Sequence, residues 1–492
     1  MSAIRRSVIA SVADKYASQI ISVVTLAVMS RILTPAETGI YLLASTVIIL
    51  FENLRVFGTG IFIVQEQELE RDTVRSAFTI TLMMSMGLAL GIYLAAGLIS
   101  GFFHEPQLKH LLVVATLAFV IAPFGSPILA LLQRDMSFTI LAVLNVTMAV
   151  VNAAVTIGLG AWGFGPVSYV WGIVAAGATL VIGAMLVRPE FWIFRPSLSD
   201  ARRILSFGTI SSSVTVLNLA YELLPRLALG RLLGVDAVGI YARAVTVCQL
   251  PDRALVSALQ PVVLPAMAMH ARRGGDLKTS YLRGHTLMSA IQWPTLMMLA
   301  LLANPVVAIL LGAQWTETPP LVRLIALATM ALAPAFMTFP VLVSVGRIRD
   351  TLWSSLICLP PSILAVIIAA NISLTAVAAS LLVIAPFQMW VALFFIRRAI
   401  GMTWSELAIA SQRSVMLTLG TALIPSLVIL LSPHGFDLSM LETTIAIAGG
   451  AAGWLAAVVL TDHPIRTEVM AVWQMIAGLR RRPAAAPGTL PD

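Results

Sequence analysis

Fourteen stretches of predominantly apolar residues run along this chain, most of them long enough to cross a bilayer. They fall at 8–30, 37–63, 76–101, 110–132, 138–160, 165–187, 204–230, 236–268, 284–311, 320–345, 351–370, 373–396, 412–432 and 441–461. The hydrocarbon core of a bilayer is about 30 Å thick and takes about 20 helical residues to span. Inside it no water satisfies backbone N–H and C=O groups, so only helices or closed barrels survive there. Continuous apolar runs select helices, and the expected fold is an all-α membrane protein of about 14 transmembrane helices. Composition agrees. Hydrophobic residues make up 59% of the 492 and charged residues 11%, against roughly 25% charged in a soluble domain. The eighth stretch exceeds one straight crossing and is expected to project from the bilayer or to bend at Pro251 and Pro261.

Loop charges give the orientation. With the N-terminus on the cytoplasmic side, 22 of the 31 Lys and Arg residues fall in cytoplasmic segments and only 4 on the opposite side. That is the bias expected of cytoplasmic loops, and it places both termini inside. The same bias accounts for the net charge of +8 without nucleic acid as a partner. Arg5 and Arg6 before an apolar run resemble a secretory signal. No clear cleavage site follows, so the stretch is expected to stay as the first helix.

The chain repeats itself at an offset of 200. Residues 31–41 read RILTPAETGIY and residues 231–241 read RLLGVDAVGIY, and each closes one span and opens the next on the same side. Duplicated halves that both begin inside are parallel repeats, which place a binding site near the midplane between them. The expected organisation is two pseudo-symmetric six-helix lobes, 1–190 and 191–400, two further helices in 401–464, and 465–492 as an interfacial helix and a disordered tail.

Ionisable residues within spans are costly and mark cavities or partners. Here they collect in the first, second, seventh and eighth spans: Asp14, Lys15, Glu52, Arg55, Glu222, Arg226, Arg243, Asp252 and Arg253. These spans are the first two of each half, so they are equivalent under the repeat. Lys15, Arg55, Arg226, Arg243 and Arg253 are the expected substrate-binding residues, because guanidinium and ammonium groups balance a phosphate or diphosphate in low dielectric. The competing reading is local neutralisation: Glu52 and Arg55 are three residues apart, Glu222 and Arg226 four, and Asp14–Lys15 and Asp252–Arg253 are adjacent. Arg243 has no acid near it in sequence and is the strongest single candidate. Asp14, Glu52, Glu222 and Asp252 are assigned to charge pairing or to coupling with an ion, since a buried carboxylate can titrate. Lys15 lies close enough to the interface to snorkel there.

Other features have plainer readings. Asn145, Asn152, Asn218 and Gln260 are expected to bridge helices. Trp162, Trp171, Trp192, Trp293, Trp315 and Trp404 lie near span ends and read as interface anchors. Pro123, Pro127, Pro334, Pro340, Pro386 and Pro425 interrupt spans and are expected to kink them. No P-loop and no metal-ligand spacing occur, and Cys248 and Cys358 suggest no disulfide. No enzyme activity, cofactor or metal is expected. A glycosyltransferase or polymerase would need a sizeable outer loop, and a passive scaffold would not need nine buried charges in four equivalent spans.

Several stretches together resemble a known family. They are the two repeat copies, ALLQRDMSF at 130–138, LPDRALVSALQPVVLPAM at 250–267, LGAQW at 311–315 followed by PPLVRLIAL, and TDHPIRTEV at 461–469. In order and spacing the chain is similar to the polysaccharide transporter (oligosaccharide flippase) family of the multidrug/oligosaccharidyl-lipid/polysaccharide flippase superfamily, and most similar to its colanic-acid-exporter type. The resemblance implies fourteen helices and a cationic central cavity. It implies export of undecaprenyl-diphosphate-linked oligosaccharides of an exopolysaccharide, O-antigen or similar polymer across the bacterial inner membrane by alternating access. Implied partners are the lipid-linked oligosaccharide, membrane lipids, and the polysaccharide polymerase and export machinery. Many relatives carry an acid just before the arginine matching Arg226, where this chain has Pro225. A cation-coupled multidrug exporter of the same fold is the alternative. It would want acids in excess of bases, whereas four acids here face five bases.

Overall fold

The computed structural model describes residues 3–56, 59–66, 68–252, 276–467 and 470. Arg253, Gln260, Pro261, the tail and most of the expected interfacial helix lie outside these residues, as do the side chains of Asn218 and Glu222. Every regular element among the described residues is helical.

Ten helices are long and apolar enough to cross a membrane, or eleven when the bent pair Leu277–Leu301 and Ala303–Leu310 is taken as one span. Three other expected spans, 8–30, 204–230 and 236–268, also coincide with helix: Ala3–Ile32, Ala201–Leu232 and the described stretch 235–252. These belong to the charge-bearing set, and Ala3–Ile32 and Ala201–Leu232 are less apolar than the ten. Large apolar side chains such as Leu98, Leu186, Leu430 and Leu460 lie exposed on helix surfaces, as lipid-facing residues do. The chain is a multi-pass membrane protein.

Expected kinks appear at matching places. The fourth span is split into Pro106–Ile121 and Ser126–Arg134 by a 3-10 turn at Ala122–Phe124 holding Pro123. The tenth is split into Thr318–Leu332 and Thr338–Ser344 by a 3-10 stretch at Ala333–Met337 holding Pro334. Proline has no N–H for the helical ladder, and each break falls where the repeat would place the other. Pro225, Pro294, Pro386 and Pro425 lie inside continuous helices instead. The ninth span, expected as one crossing, is bent by 84° at Leu302.

The chain forms two compact units. The first comprises Met1–Val247, Val307–Leu321 and Leu359–Ser380, and the second Cys248–Val306, Val322–Cys358 and Leu381–Asp492. In the first, Ala3–Ile32 packs on Phe138–Ala161, which packs on Val167–Val187, and Pro35–Val56 packs on Ala201–Leu232. Its tightest approach joins the two repeat copies. A Cβ on Gly39 would sit 1.8 Å from the Val235 carbonyl oxygen, and one on Gly239 would sit 2.2 Å from that of Pro35.

In the second unit Leu277–Leu301 packs on Trp404–Leu431, which packs on Met440–Leu460. A buried polar seam ties them: Ser289 donates to Ser414 at 2.9 Å, and Ser414 meets His463 Nε2 at 3.2 Å. His463 Nδ1 accepts the Ile465 N–H at 3.1 Å, which fixes the neutral tautomer. Burial, then the nearby Arg413, hold the ring below the usual histidine range. Both outer helices begin in capping boxes, Thr403 with Glu406 and Ser439 with Glu442. Replacing Thr403 with alanine is expected to cost about 1 kcal/mol, read as a lower thermal midpoint of the detergent-purified protein.

Candidate functional site

The site is built around Arg243, one turn beyond the Gly239 crossing. The guanidinium is buried, at 6% exposure. Its Nη2 donates to the Tyr169 hydroxyl at 2.9 Å, its plane lies over the Trp315 ring at 5.9 Å, and its Nε has no hydrogen-bond partner. No acid pairs with it among the described residues. Tyr169 is stacked on Tyr41, with ring centroids 4.0 Å apart and planes 10° from parallel. Tyr41 ends the first repeat copy in the second turn of Pro35–Val56, and Arg226 and Arg243 both lie within electrostatic range of its hydroxyl. Arg226, half-buried, is carried by Ala201–Leu232, which packs on the helix bearing Tyr41.

The chain places these groups for local reasons. Leu33 closes the first helix and Leu233 the seventh, and each following helix begins at once, at Pro35 and Val235. Gly39 and Gly239 let the two helix starts touch, which brings Tyr41 and Arg243 inward from opposite copies. Trp315 is locked from below, its Nε1 donating to the Ser30 carbonyl at 2.7 Å, while Gln314 donates to the Ser30 and Leu33 carbonyls. Trp315 was expected to anchor at the membrane interface. It is instead buried at 1% exposure, because its indole N–H finds a carbonyl inside the protein.

The remaining expected residues separate. Arg55 is buried and meets Glu52 at 3.6 Å, with Nη1 reaching Ser126 Oγ at 3.4 Å. Glu52 is more than half exposed, so the pairing expected from their spacing is present but loose. Asp14 accepts from Ser18 at 3.2 Å and from Asn145 Nδ2 at 3.0 Å, so Asn145 bridges two helices as expected. Lys15 is exposed. Asp252, in the second unit, accepts from Gln292 Nε2 at 2.7 Å, and Gln292 Oε1 has no partner. Among the described residues no His, Cys, Asp or Glu group is arranged to hold a metal.

A guanidinium offers five N–H donors in a fixed fork. A buried one without a carboxylate is unfavourable unless an anion completes it. In this cluster π faces and one hydroxyl hold the cation without neutralising it, which suits an anion that comes and goes. Sequence reading found the arginines and missed Tyr41, Tyr169 and Trp315. The one available signal was Tyr41 recurring as Tyr241 within the repeat.

The fold and this cluster define a helical membrane protein with an uncompensated cationic site between repeated elements. The chain belongs to the polysaccharide biosynthesis protein family, whose model matches residues 28–320. It is similar to the succinoglycan biosynthesis transport protein ExoT of Rhizobium meliloti (strain 1021), 27% identical over 365 residues and 72% of either chain. It is also similar to the lipopolysaccharide biosynthesis protein WzxC of Escherichia coli (strain K12), 22% identical over 310 residues, spanning 62% of that protein's length. Among solved structures the fold is shared with the lipid II flippase MurJ in an inward closed conformation, at TM-score 0.76 and 12% identity, covering 94% of this chain and 100% of that one. An inward-facing multidrug resistance MATE family transporter shares it less fully, at TM-score 0.63 and 14% identity, covering 79% of this chain and 94% of that one.

Proposed function

We propose that this chain is a flippase that moves a lipid-diphosphate-linked oligosaccharide, the precursor unit of an exopolysaccharide, O-antigen or similar polymer, across the bacterial inner membrane. The observation that carries the reading is Arg243, a buried guanidinium with no acid paired to it among the described residues and an orphaned Nε. Family membership and the transport relatives support the same cargo class. The protein acts as a transporter with no covalent chemistry of its own. Both termini are cytoplasmic, and the lobes 1–190 and 191–400 rock about the charged helices, with 401–464 as an added pair. Arg226 and Arg243 take the diphosphate, while Arg55, Lys15 and Arg253 draw it in. Asp14, Glu52, Glu222 and Asp252 pair with these cations or couple the cycle to an ion. The polymerase and export machinery receive the flipped unit.

The test is saccharide analysis of a deletion strain. Surface polymer is expected to disappear while its lipid-diphosphate-linked unit accumulates on the cytoplasmic face. If both pools stay unchanged in a strain with no second flippase, the reading fails. A drug-susceptibility panel then becomes the next measurement, since a multidrug exporter shares the fold.

A further inference from the structure

An open polar cleft of about 860 Å³ lies far from Arg243, lined by Phe62, Gln65, Glu66, Asp200, Arg202, Arg203 and two serines. Chain geometry sets its place. Phe62 to Glu66 end the polypeptide run that begins at the Gly39 crossing, and Asp200 to Ser206 begin the helix that returns to it at Arg231. The cleft therefore sits at the opposite end of these helices, on the side the loop charges assign to the cytoplasm. Arg55 precedes Phe62 by seven residues.

The walls are fixed by bonds that leave the side chains of Gln65, Arg202 and Ser206 unused. Thr73 donates to Asp200 at 2.6 Å, and Ser76 meets Ser199 at 3.1 Å. Arg75 Nε donates to the Arg195 carbonyl at 3.1 Å, and the Ser197 N–H donates to Thr79 at 3.0 Å. Ile193 is fully buried, and Phe194 packs against Phe78 and Phe124. On the other wall Arg134 donates to the Ile63 and Glu66 carbonyls. The Glu66 carboxylate pairs with Arg203 at 2.9 Å, and that guanidinium lies over Phe62 at 5.6 Å. The side chains of Gln65, Arg202 and Ser206 remain exposed and make no hydrogen bond or ion pair among the described residues.

This lining differs in kind from the Arg243 cluster. Two carboxylates balance two guanidinium groups, so the lining carries no net charge, unlike the Arg243 cluster. Carboxylate, guanidinium and amide groups are planar hydrogen-bonding surfaces that match neighbouring hydroxyls, and the volume lies within the roughly 300–1,000 Å³ of ligand sites. We propose that this cleft is the cytoplasmic landing site for the glycan of the lipid-linked cargo, read through its hydroxyl groups by Gln65, Arg202 and Ser206 against the Glu66–Arg203 pair. It rests on the flippase reading. Glycan and diphosphate are recognised by separate surfaces, so selection among repeat units belongs to this cleft and charge balance belongs to the arginines deeper in the fold.

The experiment uses the full chain in nanodiscs and the lipid-linked oligosaccharide pool extracted from the deletion strain, with undecaprenyl diphosphate as the sugar-free comparison. The triple variant Gln65→Ala, Arg202→Ala, Ser206→Ala removes no bond that holds the fold. It is expected to bind the saccharide-bearing lipid about tenfold more weakly, in line with three lost hydrogen bonds of modest net strength, and to bind undecaprenyl diphosphate as the wild type does. The oligosaccharide released from the pool by mild acid is expected to compete with the wild type's binding. Equal affinity of wild type and variant for the saccharide-bearing lipid overturns the cleft assignment and leaves the flippase reading standing. Weakened binding of both lipids also overturns it, since the cleft would then be reading the diphosphate. If the wild type binds neither lipid, the flippase reading itself fails.

Discussion

Replacing Arg243 with glutamine is expected to cut polymer export at least about tenfold while the protein remains at its normal level in the membrane. A charge-assisted hydrogen bond contributes about 1.5–3 kcal/mol, and every 1.4 kcal/mol is a factor of ten. Glutamine preserves much of the side-chain volume and can still donate to the Tyr169 hydroxyl, which Arg243 Nη2 meets at 2.9 Å. What it lacks is the charge and the planar fork. Lysine at the same position keeps the charge but not the fork, so it should restore export only in part. Tyr169→Phe is the structural control: it breaks the tyrosine–arginine bond and leaves the cation, so export should fall less than in Arg243→Gln. Adding Arg226→Gln should take export below detection, because the second cation within electrostatic range of Tyr41 is then lost. The assay is surface polymer per cell against protein abundance by immunoblot. Normal export in the double variant would remove the arginines from the mechanism.

Why Arg243 was legible in the sequence, and its surroundings were not, has a physical basis. A lone cation in an apolar span is visible because its cost is local, and no acid lies within a helical turn of it. The groups that shelter it come from other parts of the chain. Tyr41, Tyr169 and Trp315 converge only after four helix ends pack together, and nothing in their spacing encodes that. Trp315 misled because a tryptophan at a span end is equally suited to a lipid interface. Glu52 and Arg55 were legible for the opposite reason: three residues apart on one helix, they meet wherever that helix goes. Asp14 accepts a hydrogen bond from a neighbour 131 residues away, Asn145, which adjacency to Lys15 could not suggest. Span boundaries show the same limit. The apolar run begins at 412, yet the helix begins at Trp404 behind its Thr403 cap. Hydropathy sees the part that lipid requires to be apolar, whereas the helix extends through polar residues to its capping box. The T-x-x-E and S-x-x-E signals at 403–406 and 439–442 were available.

The repeat copies carry the second large effect. Gly39→Ala is expected to separate the two helix starts and reduce export about tenfold or more. The added methyl would lie 1.8 Å from the Val235 carbonyl oxygen and 3.1 Å from the Gly239 nitrogen. Its neighbours are backbone, so no side chain can swing aside. Overpacking of this kind typically costs about 1–3 kcal/mol. In a protein with one conformation that cost would appear as lost stability. A transporter that alternates between two conformations has another way out, because only the conformation with the crossing closed bears the strain. A penalty of about 2 kcal/mol then shifts the two-state ratio roughly thirtyfold toward the open crossing, and the cycle stalls there. Thr38 reports this directly. It is fully buried beside Gly39, and its hydroxyl has no hydrogen-bond partner, so Thr38→Cys is a mild substitution. Cys248 and Cys358 are also buried, which keeps background labelling low. A membrane-impermeant maleimide added outside cells should label Thr38→Cys slowly in the otherwise wild-type chain and several-fold faster with Gly39→Ala. Gly239→Ala should act in the same direction, since its methyl would meet the Pro35 carbonyl oxygen at 2.2 Å. Unchanged labelling together with normal export would mean that the helices relieve the contact by sliding, and the crossing would then have no part in the transport cycle.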